Sequence, residues 1–104
     1  MSEAIDDIVK LSPEIHAVIF ENDQIRVLKV TVKPGDTVPM HRNPVNINYI
    51  LRPGTLRLTG TDGLVQDVAL TEGQVIPAPV SSHAVENVGH TEVQTICIEL
   101  KGGK

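Results

Sequence analysis

The chain is predicted to be an all-β domain, a sandwich or barrel of short strands. Three observations predict it. From residue 14 onward, apolar and polar residues alternate at period two and β-branched residues become frequent. Breaks carrying Gly, Pro, Asp or Asn, the residues that supply tight-turn dihedrals, recur at roughly 8–12-residue spacing. The length is 104 residues, 40% of them hydrophobic, which provides for one core; a chain this short buries ~60–70% of its unfolded surface.

The elements follow in order. Residues 3–10, EAIDDIVK, are predicted to form a short helix with Ile5 and Ile8 on one side, ended by Pro13. IHAVIF (15–20) is the first strand and Glu21-Asn22-Asp23 its turn. QIRVLKVTV (24–32) stops at Pro34-Gly35-Asp36, TVPMH (37–41) comes next, and VNINYILR (45–52) stops at Pro53-Gly54. TLRLTG (55–60), LVQDVAL (64–70) and QVIPAPV (74–80) end at or near Asp62-Gly63, Glu72-Gly73 and Pro79. The two prolines of QVIPAPV place it at a sheet edge or in an irregular crossing, because proline has no N–H for a ladder. SHAVENV (82–88) and EVQTICIEL (92–100) are the last two strands. The chain therefore divides into an N-terminal segment (1–13), a β domain (14–101) and a polar tail (102–104).

Composition excludes several function classes. Net charge is −4, and the nine Lys and Arg residues are scattered singly. No basic stripe awaits a phosphate backbone, and Phe20 and Tyr49 are the only aromatic residues, so no nucleic-acid partner is expected. No apolar run approaches the ~20 residues that cross a bilayer. The start, MSEAIDDIVK, has acids where a signal peptide needs basic residues. The expectation is a soluble, cytoplasmic protein with no membrane partner. Cys97 is the one cysteine; it forms no internal disulfide and is expected to act as a small buried hydrophobe in TICIEL.

The stretch MHRNPVNINYI (40–50) carries the chemistry. If it runs straight, His41, Asn43, Val45, Ile47, Tyr49 and Leu51 share one face, and Asn46, Asn48 and Ile50 the other. His83, Val85 and Asn87 likewise share a face, and Arg26, Leu28, Val30 and Val32 oppose Val27, Lys29, Thr31 and Lys33. His16 can reach either face, and His90 sits in a solvated turn. Arg26 and Arg57 would clamp an anionic ligand if they pointed inward.

These residues resemble the cupin family. The first cupin motif reads Gly, five residues, His, one residue, His, three or four residues, Glu, six residues, Gly. Here Gly35 and His41 keep that spacing, Asn43 stands for the second His, Ile47 or Asn48 for the Glu, and Gly54 closes the frame. The second motif is carried by Gly73, QVIPAP, His83 and Asn87, with VSS where a glycine is usual. The resemblance covers about residues 14–101 and implies a double-stranded β-helix, a jelly-roll barrel with an internal cavity.

It also implies that His41, Asn43 and His83 face the cavity, with Met40, Tyr49, Arg57 and Asn87 around it. A typical cupin site holds one divalent transition metal (Zn, Ni, Mn, Fe or Cu) with three imidazoles and a carboxylate. Here His41, His83 and Asn43 are the candidate ligands, all neutral, and a buried divalent charge without an anion is poorly compensated. A homodimer is implied by resemblance. Three readings of function stay open at this point: a small-molecule-binding domain with weak or absent metal binding, a metal-dependent dioxygenase or isomerase using His41 and His83, and metal-free acid–base chemistry by a cavity histidine.

Overall fold

The computed structural model describes residues 7–102. It contains one short helix, α1 (Ile8–Leu11), and nine strands among the described residues: β1 (His16–Glu21), β2 (Ile25–Val32), β3 (Thr37–Asn43), β4 (Asn46–Arg52), β5 (Gly54–Gly60), β6 (Val65–Leu70), β7 (Val75–Ala78), β8 (Ser81–Asn87) and β9 (Val93–Leu100). All nine predicted strands are present, each bounded within two residues of its expected ends.

The strands form two antiparallel sheets, ordered β1-β2-β9-β4-β7 and β3-β8-β5-β6. This is the expected double-stranded β-helix. The chain changes sheets repeatedly, so neighbours in sequence such as β3 and β4 end in opposite sheets. β7 lies at an edge and Pro77 sits within it, as the two-proline argument requires.

The helix differs from expectation. It begins at Ile8 because the Asp7 side chain caps it, accepting from the Val9 amide at 3.0 Å, and Ser12 closes it before Pro13. Residues 3–6 of the expected helix, with Ile5, lie outside the described residues, as do 103–104 of the tail. Four residues cannot hold a helix on their own. Tertiary packing holds it: Ile8 is buried against Leu28 and Cys97.

The interior has two further apolar clusters. Ile15, Val32 and Val38 form one, and Ile50, Leu70 and Val93 the other. The frame glycines have separate physical roles. Gly35 turns the chain at φ +86°, a left-handed conformation that a side chain disfavours. At Gly54 the constraint is space: a Cβ there would stand 2.5 Å from Cγ2 of the fully buried Val93 and 3.1 Å from Oγ1 of Thr91. Gly54→Ala is expected to cost about 1–3 kcal/mol by overpacking. The measurement is the urea midpoint, which should fall with an unchanged m-value.

Candidate functional site

Between the two sheets lies a cavity of about 390 Å³. Most of its wall is apolar, including Val30, Leu56, Leu58, Val68 and Ile76. The polar side chains on it are neutral: three histidines, three asparagines, Gln66, Ser81 and Thr95. Among the described residues, no Asp, Glu, Lys or Arg lines it.

β3 and β8 bring the two motif histidines together. His41 and His83 are cross-strand partners, their rings edge to face with centroids 5.1 Å apart. The register shifts between Val38 and His41. That bulge lets two residues three apart, Val38 and His41, both face inward, where a straight strand would turn one of them out. Pro39 sits in the bulge and gives up no ladder donor. Its carbonyl instead accepts from Nδ1 of His41 at 2.7 Å, which fixes Nδ1 as the protonated nitrogen and leaves Nε2 as an acceptor. His41 is 4% exposed, and Nε2 has no hydrogen-bond partner among the described residues. Asn43 Nδ2 stands 3.1 Å from His83 Nε2, so His83 already has a partner.

Beyond Asn43 the strand does not run straight. Pro44 and Val45 lie outside any strand, and β4 resumes in the other sheet with its parity reversed. Asn46, Asn48 and Ile50 therefore line the cavity. Tyr49, expected in the cavity, stands on the outer face, 44% exposed and paired across the sheet with Ile96 and Val75. Met40 is also exposed, displaced outward by the bulge. The two inward asparagines form a chain: Asn48 Nδ2 donates to Asn46 Oδ1, and Asn46 Nδ2 to the Pro44 carbonyl, each at 2.8 Å.

Two further expectations are corrected. Arg57 is not in the cavity. Leu56 and Leu58 take the inward positions of β5, and Arg57 makes a bidentate pair with its cross-strand partner Asp67 at 2.8 and 3.1 Å on the exposed face. Asn87 is buried but lies beyond the cavity, and backbone groups occupy its amide. It donates to the carbonyls of Val32 and Thr91 and accepts from the Gly89 amide. Arg26 does turn inward, but toward the barrel end, where Glu99 and Asp7 take its guanidinium.

His16 is a cavity histidine that the sequence left undecided. Its hairpin partner is Val30, which belongs to the inward set of β2; the register shifts between Val18 and Phe20, so counting from the Glu21–Asp23 turn would have set His16 opposite Thr31 on the other face. Its Nδ1 donates to the Ser12 carbonyl at 3.1 Å. Burial lowers its pKa below the ordinary 6.5 against the opposing Ser12 contact; burial, then the charge of His41, lowers that of His83. Burial pushes the Cys97 thiol up to about 12, which makes it an unreactive wall residue.

The lowered values fix a pH dependence. Below about 6.5 the unfolded chain binds protons that the folded state refuses, so stability is full above that pH and is lost as pH falls. The slope is at most about 1.4 kcal/mol per pH unit for each histidine. The thermal midpoint is expected to drop between pH 7.5 and 5.5, and to drop less in His83→Gln.

A divalent metal of the kind the resemblance implies does not fit these residues. Among the described residues, no three His, Cys, Asp or Glu side chains are grouped to hold an ion. Of the candidate set His41, His83 and Asn43, the last two are spent on each other, and among the described residues no carboxylate on the cavity wall offsets the charge. Glu99 faces a separate recess at the barrel end, together with Arg26, Arg42 and Lys101.

Comparison with known proteins gives structural likeness. No protein-family model matches the chain, and no curated protein does. The crystal structure of a cupin domain from Bordetella pertussis Tohama I is similar over 85% of this chain and 93% of that one, with a TM-score of 0.78 and 27% identity. A protein with a double-stranded β-helix domain from Klebsiella pneumoniae is similar over 97% and 92%, with a TM-score of 0.67 and 17% identity. An RmlC-like cupin family protein with a double-stranded β-helix fold from Methanocaldococcus jannaschii is similar over 83% and 78%, with a TM-score of 0.67 and 14% identity.

Proposed function

We propose that this chain, a small cupin-domain protein, binds a small organic molecule inside its barrel and does so without a metal. One observation carries the reading: an internal cavity of about 390 Å³, within the ~300–1,000 Å³ range of small-molecule sites, whose histidines and asparagines are held by hydrogen bonds and whose wall bears no Asp, Glu, Lys or Arg among the described residues. Fold alone does not give function, because the same barrel can carry unrelated sites. The side chains in this barrel favour binding over metal chemistry. The metal-dependent dioxygenase or isomerase reading would need an ion held by His41 and His83 with no anion beside it.

The test is a fragment screen followed through the methyl NMR signals of Leu56, Leu58 and Val68, in parallel with elemental analysis of protein purified without chelators. Binders are expected to shift those methyls equally with and without EDTA, and a Leu58→Trp variant that fills the cavity should abolish the shifts. Near-stoichiometric transition metal that disappears in His41→Ala would replace this reading with the metal-dependent one.

We also propose a homodimer through the outer face of the five-stranded sheet. Cross-strand pairing lines up Phe20, Val27, Ile98, Ile47 and Pro77 in one row, and Ile96, Tyr49 and Val75 in the next, with Lys29 and Ala17 beyond them. Five strands about 4.8 Å apart make this face on the order of 500 Å² in projection and more in accessible area, comparable with the ~800 Å² per partner of a stable interface. Phe20 and Tyr49 are half exposed, so Phe20→Glu with Tyr49→Glu should leave the fold intact. Light scattering is expected to give the wild type twice the mass of that variant; a monomeric wild type at tens of micromolar would refute the dimer.

A further inference from the structure

Resting on the proposed cavity binding, we infer that the ligand is an uncharged, largely apolar molecule that donates a hydrogen bond from a hydroxyl group to Nε2 of His41. A phenol or a hydrophobic alcohol has this chemistry; a carboxylic acid or a sugar does not.

The first support is what the wall lacks. A carboxylate entering the cavity would meet no Lys or Arg among the described residues. The two arginines that could have clamped it are engaged elsewhere, Arg26 by Glu99 and Asp7 at the barrel end and Arg57 by Asp67 outside. A desolvated anion without a partner is strongly disfavoured. A sugar would present a hydroxyl at nearly every carbon to Leu56, Leu58, Val68 and Ile76, leaving most of them unpaired.

The second support is what the wall offers. Among its buried polar groups, Asn46 is occupied by Pro44 and Asn48, and His83 by Asn43. His16 and His41 each donate Nδ1–H to a backbone carbonyl and keep Nε2 without a partner among the described residues; of the two, His41 is held by the shorter bond. Its Nδ1–H is committed to the Pro39 carbonyl at 2.7 Å, so its remaining nitrogen can only accept while the ring is neutral. A buried acceptor without a donor is destabilising, and a ligand hydroxyl recovers that cost. The bulge that aims the ring and the carbonyl that sets its tautomer form a built receptor for one donor. The surrounding aliphatic wall takes the rest of the molecule.

The test uses three matched probes on the intact protein: 2-naphthol, its methyl ether and 2-naphthoate. Affinities are read by calorimetry for the wild type, for His41→Phe and for the cavity-filled Leu58→Trp variant. The wild type is expected to bind 2-naphthol at least tenfold more tightly than the ether, and 2-naphthoate more weakly than either. In His41→Phe the naphthol–ether difference should vanish; the wild-type contrast stands as a test even if that variant does not fold. Equal binding of naphthol and ether, or tighter binding of naphthoate, would overturn the hydroxyl assignment and leave cavity binding intact. If no probe binds the wild type better than Leu58→Trp, cavity binding itself fails and the assignment with it.

Discussion

Asn87→Ala is expected to lower stability by about 3–5 kcal/mol, although the residue touches neither of the motif histidines. Each buried polar group left without a partner costs about 1–3 kcal/mol, and this one amide serves three. Nδ2 donates to the Val32 carbonyl at 2.8 Å and the Thr91 carbonyl at 2.9 Å, and Oδ1 accepts from the Gly89 amide at 2.9 Å. The side chain is 1% exposed, so water cannot replace it without rearrangement. It ties the end of β2 to the turn between β8 and β9. Asn87→Asp should also destabilise, since an ionised carboxylate cannot donate to either carbonyl. Chemical denaturation checks both; a loss below about 1 kcal/mol in Asn87→Ala would mean the amide is not the tie the geometry describes.

Arg26→Met is the second large effect. Glu99 is 6% exposed and lies 2.7 Å from Nε of Arg26, its cross-strand partner. Burial works against the arginine's charge, but the hydrogen bond and charge of Glu99, with Asp7 behind them, outweigh it and hold its pKa above the ordinary value. Removing the arginine strands a carboxylate in the barrel end, and breaking a buried pair in this way costs about 3–5 kcal/mol. Replacing both partners, Arg26→Met with Glu99→Leu, should recover most of that loss, because no charge then remains buried. Thermal unfolding of the single and double variants measures the difference; a double variant as unstable as the single would refute the mechanism. Asp7 caps α1 and also touches Arg26 at 3.2 Å, so the single variant should loosen the helix as well.

The strands were legible because each ends at a Gly, Pro, Asp or Asn that no strand interior tolerates well, and the meeting of His41 with His83 was implied by the resemblance of two motifs to those of cupins. What failed was side-chain direction past an irregularity. Period-two counting is right only while the strand is regular, and both features that decide the site are irregular. The bulge at Pro39 keeps Val38 and His41 on one side. The break at Pro44-Val45 exchanges Tyr49 for Asn46 and Asn48. Arg57 was misplaced for a different reason. Its strand alternates cleanly, but nothing local says which face is the inner one; the burial of Leu56 and Leu58 decides that, and burial belongs to the assembled barrel. Asn87 follows the parity of His83 and faces inward as expected, yet it lies past the end of the cavity, a distance that spacing along a strand does not report.

The bulge makes this site sensitive to chain length as well as to chemistry. Excising one residue from Pro39-Met40 would restore a regular ladder to β3 and leave Val38 and His41 two apart on the inner face, but it would remove the Pro39 carbonyl from its place two residues before His41, where it holds Nδ1, while every ligand-facing side chain kept its identity. A homologue can therefore lose the receptor through a single-codon deletion that an inspection of site residues would pass over, and an insertion in an otherwise inert barrel could create one.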